Sequence, residues 1–179
     1  MAATWEEYVE EQSSPIEDKF LDGEKFNDRL LLIRALTRNA KLNEALEFHE
    51  MKANGSQIGL DTIGDTVLDF VIIDHFSQES RETSKARYSP EQLNKFREIY
   101  GTNPHLHDFS KNVIGLQQYV IWGNDEEDKK KWAENSTDLL ADCFEALLGA
   151  IYLDKGIDGV KKFMKNVMFF DYMDKITKA

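Results

Sequence analysis

Apolar residues recur at the three- and four-residue spacing of a helix along most of the 179-residue chain. One predicted helix begins near Asn27, a second covers residues 42–49, and a long, largely buried helix runs from Ile58 to Phe76. No segment alternates apolar and polar residues in the manner of a half-buried strand. The pattern therefore predicts an all-α fold, built as a single compact helical domain.

Local signals place the boundaries of the middle helices. The polar residues 77–88 predict a loop, after which Ser89 and Pro90 supply the cap and the first turn of a new helix. A further helix is expected to end near Gly115, because glycine readily adopts the left-handed conformation that terminates helices.

The two ends of the chain complete the predicted architecture. One helix is expected to start at residues 136–138 and to end at Gly156, and a last amphipathic helix to cover residues 157–172. Residues 1–22 are acidic and predict a short helix followed by a turn. We therefore expect an acidic N-terminal arm over residues 1–22 and a helical domain over residues 23–179.

The charge balance limits the classes of function. The formal net charge is −11, with 22 Lys and Arg against 33 Asp and Glu. This excess of acid argues against a protein that coats nucleic acid, because phosphate neutralisation needs surplus cations. A local basic surface is still compatible with the balance. The candidates for phosphate contacts are Lys85, Arg87, Lys95 and Arg97.

Composition also bears on the compartment. The sequence contains no run that is long and apolar enough to cross a bilayer, and residues 1–8 lack the basic and apolar regions of a signal peptide. The one cysteine, Cys143, cannot form an internal disulfide, and its apolar surroundings predict a buried thiol. These features predict a soluble, cytoplasmic protein.

Two pairs of carboxylates interrupt the most apolar helices. Asp142 and Glu145 are three residues apart, and Asp61 and Asp65 are four residues apart, so each pair projects from one side of its helix. A lone acidic pair on a helix is most often a solvated surface feature. Two pairs that are each surrounded by apolar residues instead predict a metal site, because buried charges need a compensating partner.

Three segments together resemble the catalytic domain of ribonuclease III, a metal-dependent family that cuts double-stranded RNA. Ala35-Leu36-Thr37-Arg38 resembles the family's Ala-Leu-Thr-His element, and residues 60–68, Leu-Asp-Thr-Ile-Gly-Asp-Thr-Val-Leu, resemble its Leu-Glu-Phe-Leu-Gly-Asp-x-Val-Leu signature. The segment that begins Ala141-Asp142-Cys143-Phe144-Glu145 and ends at Asp154 is similar to the closing signature. The order and spacing of the three segments agree with the family.

The resemblance implies an activity and a site. The family's acidic positions fall on Asp61, Asp65, Asp142 and Glu145, which would bind Mg²⁺, or Mn²⁺ in its place, with Asp65 and Glu145 as catalytic residues. The implied reaction is endonucleolytic hydrolysis of double-stranded RNA to 5′-phosphate and 3′-hydroxyl ends. The implied assembly is a homodimer, since two sites across a duplex require two copies.

The chain departs from the family pattern at three places. Asp61 stands where the family usually has Glu and is one methylene shorter. Thr62 stands where the family commonly places a Phe that packs across the dimer interface. The family's Asn-Glu-x-Leu-Glu aligns with Gln57-Ile58-Gly59-Leu60-Asp61, so an additional Glu is lost. Separately, residues 43–48, Asn-Glu-Ala-Leu-Glu-Phe, copy the start of the signature but lack the Gly-Asp that follows it, and their acids predict the outer face of a helix or, with Glu47 or His49, an extra ligand. We therefore assign the acidic positions to the second copy.

Two other functions compete with the nuclease. A catalytically inactive subunit with the same fold could bind RNA or support an assembly, and a small-molecule phosphohydrolase would also use clustered acids. The sequence ends at Ala179, soon after the last predicted helix, so we expect no double-stranded-RNA-binding domain. An RNA-delivering protein partner is one way to compensate for this.

Overall fold

The computed structural model describes residues 5–38, 59–82, 87–123 and 137–177, apart from the side chains of Trp5, Glu82 and Thr137. Within these ranges the only β-type pairing is an isolated bridge between Thr37 and Ile121, so the all-α prediction is confirmed. The helices are α1 (Trp5–Phe20), α2 (Arg29–Leu36), α3 (Leu60–Glu82), α4 (Pro90–Tyr100), α5 (Asn103–Phe109), α6 (Thr137–Asn166) and α7 (Phe169–Thr177). A π-helical turn over Ser110–Ile114 and a 3₁₀ turn over Leu116–Gln118 follow α5.

Helix α6 is the centre of the fold. It packs against α2, α3 and α5, and its residues 139–151 are buried apart from the two acids Asp142 and Glu145. Cys143 is fully buried within this stretch, as predicted, and is a free thiol. A helix that is apolar on nearly all sides is expected when other helices cover it.

Two glycines let α3 and α6 cross at very short distance. A Cβ placed on Gly64 would lie 1.7 Å from the main-chain oxygen of Glu145, and one placed on Gly149 would lie 2.1 Å from the main-chain oxygen of Leu60. Neither position can therefore hold a side chain without moving the helices apart. The expectation that Gly64 allows another backbone to come close is confirmed.

A buried ion pair joins α1 to α2. The side chain of Glu17 is fully buried and accepts hydrogen bonds from Arg29 Nε at 2.9 Å and Nη2 at 2.8 Å. The main-chain N–H of Phe26 donates to the same carboxylate at 2.8 Å. Because Ile16 and Phe20 of α1 also lie in the hydrophobic core, this helix packs as part of the helical assembly.

Asp154 anchors the segment before α2 to the signature helix. Its side chain is 1% exposed and accepts hydrogen bonds from the main-chain N–H groups of Asn27 at 3.0 Å and Asp28 at 2.8 Å. Asp28 in turn caps α2 through the N–H of Leu30. The last acid of the closing signature therefore has a structural role in orienting α2.

Several predicted boundaries are confirmed. Ser89 caps α4 through a reciprocal capping box with Gln92. Gly115, with φ +68°, ends the π-helical turn, and Gly156, with φ +69° and ψ −170°, breaks the helical path within α6. The predicted helix over residues 42–49, with the signature-like segment 43–48, lies outside the described residues.

Two predicted boundaries are wrong. Residues 77–82 continue α3 where a loop was expected, and just before them Asp74 and His75 contact Lys161 and Phe170. The predicted final helix over 157–172 is divided at Met168, whose φ of +56° ends one helix before α7 begins. None of the described helices is long and apolar enough to cross a membrane.

Candidate active site

The four predicted acids lie on the two helices that cross at the glycines. Asp61 and Asp65 belong to the first turns of α3, and Asp142 and Glu145 belong to the buried part of α6. The contact at Gly64 is made to the main chain of Glu145 itself, so the crossing point adjoins the acids. The backbone of the two helices thus sets the separation of the two pairs.

Glu145 has the most altered environment of these carboxylates. Burial, followed by the negative charges of Asp65, Asp142, Asp61 and Asp69, raises its pKa to about 8. A shift of this size in a group held by a rigid crossing is typical of functional carboxyls. At neutral pH the carboxyl of Glu145 is therefore mainly protonated when no cation offsets the local negative charge.

The pKa of Asp142 is raised by a similar combination of causes. Burial raises its pKa, the positive charge of Arg38 opposes this effect, and Asp138 and Asp61 add to the increase. Arg38 ends the Ala-Leu-Thr-Arg segment that follows α2, so the first of the three signature segments contributes a cation beside the acids. This is a physical reason for the segment to lie next to α6.

Asp61 uses part of its carboxylate to stabilise the start of α3. Its Oδ1 accepts hydrogen bonds from the N–H groups of Gly59 at 2.9 Å and Thr62 at 2.7 Å. These bonds satisfy donors at the helix N-terminus, where negative charge is also favoured. The short side chain at this position therefore stays close to its own backbone.

The donor chemistry of the four acids fits a divalent cation. Hard carboxylate oxygens are the ligands that Mg²⁺ and Mn²⁺ prefer, and among the described residues no side-chain hydrogen bond is made to the carboxylates of Asp65, Asp142 or Glu145. Within the described ranges, no three Asp, Glu, His or Cys side chains converge on one point closely enough to hold an ion. The negative charges of these acids nevertheless act on one another, and we call this region of negative potential the acidic field. Among the four acids, Glu145 has the largest pKa shift.

A fifth acid adjoins this field and was not among the predicted site residues. Asp69 follows Asp65 by one helical turn and contributes to the negative charge around Glu145. Its Oδ2 lies 3.1 Å from Nη1 of Arg97 on α4. The four-residue spacing after Asp65 was the sequence signal for this position.

The predicted phosphate contacts fall into different settings. Arg87 and Lys95 are exposed, the first just before α4 and the second on it. Arg97 is already paired with Asp69. Lys85 lies outside the described residues.

The sequence of this chain is similar to those of known proteins. A family model described as Ribonuclease-III-like matches residues 28–172. Proteins named Ribonuclease 3 from Geobacillus kaustophilus and Bacillus cereus are 32% and 31% identical to this chain over 147 residues, which is 82% of the chain and 55% of each relative. The chain therefore spans about half the length of the curated relatives it matches.

Solved structures resemble the fold as well. Two structures of the nuclease domain of ribonuclease III from Campylobacter jejuni align with TM-scores of 0.66 and 0.60, at 22% and 20% identity. The first alignment covers 87% of this chain and 95% of that domain, and the second covers 97% and 96%. Together with the match over residues 28–172, these similarities place the chain in the ribonuclease-III-like family.

Proposed function

We propose that the chain is a divalent-metal-dependent endoribonuclease that hydrolyses double-stranded RNA to 5′-phosphate and 3′-hydroxyl ends. The observation that carries the proposal is the crossing at Gly64 and Gly149, which brings acid pairs from α3 and α6 into one field around Glu145. Membership of the ribonuclease-III-like family supports the same activity.

Each of the four predicted acids would have a role in the site. Asp61, Asp65, Asp142 and Glu145 would hold Mg²⁺, or Mn²⁺ in its place, with Asp65 and Glu145 as the catalytic residues. A bound divalent ion supplies an activated water and neutralises charge that develops on the phosphoryl group. Glu145 would release its proton when the cation binds, since its pKa of about 8 reflects burial and unneutralised neighbours.

The RNA would meet a mainly acidic protein, so its capture needs local cations. Arg87 and Lys95 are the exposed candidates near α4, and each would contact the phosphate backbone without reading sequence. Removing either cation should weaken binding of all duplexes to a similar degree and should lower the dependence of affinity on salt.

The direct test is cleavage of a long RNA duplex in the presence of Mg²⁺, Mn²⁺ or EDTA, with products sized on a denaturing gel. We expect metal-dependent cutting of both strands by the unmodified chain. Glu145→Gln should lower the rate by at least about 100-fold, which corresponds to about 2.7 kcal/mol of transition-state stabilisation. Asp158→Asn, at an exposed acid on the same helix, should leave the rate unchanged.

The outcome separates the competing functions. Intact duplex under every metal condition, from a protein with a native circular dichroism spectrum, would contradict the nuclease and favour a non-catalytic subunit. Turnover of free nucleotides without cutting of duplex RNA would favour a small-molecule phosphohydrolase.

We also propose that the chain acts as a homodimer, because cutting both strands of a duplex requires two sites. One related nuclease-domain structure is described in terms of a region involved in dimer formation. Phe70 and Leu153 of this chain are 52% and 50% exposed and offer apolar surface that a second copy could cover. Sedimentation equilibrium should give twice the mass of the chain, and a monomer at micromolar concentration would contradict the proposal.

A further inference from the structure

Asp69 extends the acidic row of α3 by one turn. Asp61, Asp65 and Asp69 are spaced by four residues and therefore follow one side of the helix. Asp69 is half-buried, and its charge reaches both Asp65 and Glu145. Asp69 is therefore a carboxylate of this row that is not among the four predicted ligands.

Arg97 holds this extra carboxylate at a fixed place. Its Nη1 lies 3.1 Å from Asp69 Oδ2. The arginine is on α4, which is fixed against α3 by stacking of Phe96 on Phe76, with ring centroids 3.8 Å apart. The ion pair therefore connects two helices whose relative position does not depend on the pair alone.

We propose that Arg97 is the fixed counter-ion of Asp69 and that this pair sets the affinity of the acidic row for a divalent cation. The inference rests on the proposed function, because it assigns Asp69 and Arg97 as positioning residues for the same site. Coulomb interactions between a unit charge and a divalent ion extend over several ångströms when the intervening medium is protein. Removal of either partner leaves the other charge unbalanced and must therefore change the affinity for the cation. Whether the affinity rises or falls depends on which partner is removed.

Removal of the two partners should have opposite effects. In Arg97→Met, Asp69 keeps its charge without a counter-ion, and Mn²⁺ should bind roughly three- to tenfold more tightly. In Asp69→Asn, Arg97 keeps its charge beside the row, and Mn²⁺ should bind more weakly by a similar factor. The double variant should return to within about twofold of the unmodified chain, because the two charge changes cancel.

The measurement is calorimetric titration with Mn²⁺ alone, without RNA, after circular dichroism has established that each variant is folded. Arg97→Lys keeps the charge and should retain the original affinity, so it serves as the conservative control. Lys162→Met removes a cation from an exposed ion pair with Glu24, at 3.0 Å, and should leave Mn²⁺ affinity unchanged.

A merely structural pair gives a different pattern. If both single variants weaken Mn²⁺ binding, or if neither changes it, the proposal is overturned. If the unmodified chain and Glu145→Gln both fail to bind Mn²⁺, the metal-dependent nuclease itself is contradicted. The two failures are thereby distinguishable.

Discussion

Glu145 combines a partly buried position with four neighbouring carboxylates, and this has a consequence for the stability of the metal-free protein. Its pKa is about 8 in the folded chain, against an ordinary value of 4.5. Between these two pH values the folded state holds a proton that the unfolded state has released. Stability contributed by this group must therefore fall as the pH rises from about 4.5 to about 8.

Glu145→Gln removes this linkage. We expect the variant to be more stable than the unmodified chain in EDTA, by a margin that increases from pH 5 to pH 8, because ionisation of this carboxyl increasingly favours the unfolded state of the unmodified chain while the folded state keeps its proton. Thermal unfolding at several pH values measures the margin. A difference in Tm that is constant over this range would mean that Glu145 titrates normally in the folded protein.

Glu17 should show the opposite dependence on pH. Burial pushes its pKa upward, but hydrogen bonds from Arg29, Phe26 and Lys25 outweigh burial and leave the pKa below its usual range. Its stabilising contribution is therefore present above about pH 4.5 and is lost as the pH falls below that value. This carboxylate favours the folded state at neutral pH.

Glu17→Gln should lower the free energy of unfolding by roughly 2 kcal/mol at pH 7 and by much less near pH 3, because it leaves Arg29 without its buried partner. Urea denaturation at the two pH values gives both numbers. The matched control is Glu10→Gln, at a second carboxylate that pairs with Arg29 but is 56% exposed, and it should lower the free energy of unfolding much less than Glu17→Gln. Equal losses from both variants would show that burial of the Glu17 pair is unimportant.

At the scale of the elements, the crossing of α3 and α6 depends on the absence of two side chains. Gly64→Ala places a methyl group 1.7 Å from a main-chain oxygen that cannot rotate away, so the helices must separate. We expect a loss of more than about 3 kcal/mol in the free energy of unfolding, which is larger than ordinary overpacking. Urea denaturation of this variant and of Thr66→Ala, at an exposed position on the same helix, provides the comparison. Similar losses for both variants would contradict the close crossing.

The elements also show which structural features can be predicted from sequence. Ser89, Gly115 and Gly156 act through their own backbone conformation or through a neighbour within four residues, so their local sequence was sufficient to place three boundaries. The part of α3 near Asp74 and His75 contacts Lys161 and Phe170, which are far away in the chain, and the local sequence did not reveal that the helix continues beyond His75.

The same distinction applies to the candidate site. Periodicity and family resemblance identified the four acids, because their spacing along each helix is a local property. The pairing of Asp69 with Arg97 joins α3 to α4 and required the tertiary structure. The use of Asp61 Oδ1 as an acceptor at the start of its own helix also became clear only from the backbone geometry.

At the scale of the whole molecule, the net charge of −11 opposes folding through long-range repulsion. Salt screens such repulsion beyond a Debye length of about 10 Å at 0.1 M, whereas the buried Glu17–Arg29 pair is screened much less. We therefore expect the Tm in EDTA to rise when NaCl is increased from about 20 mM to about 500 mM. Thermal unfolding monitored by circular dichroism tests this, and a fall in Tm would mean that exposed ion pairs contribute more than the net repulsion.

The glycine crossing also makes the site open to redesign. Since main-chain atoms at Gly64 and Gly149 hold α3 against α6, the reach of each acid can be altered without repacking the helices. Asp61 is the most accessible position for such an exchange, because it lies at the partly exposed start of α3, and a glutamate there would move the carboxylate away from the N–H groups of Gly59 and Thr62. If the acids hold a cation as we propose, variants that differ only in carboxylate length would change which divalent ion binds, while the glycine crossing stays the same.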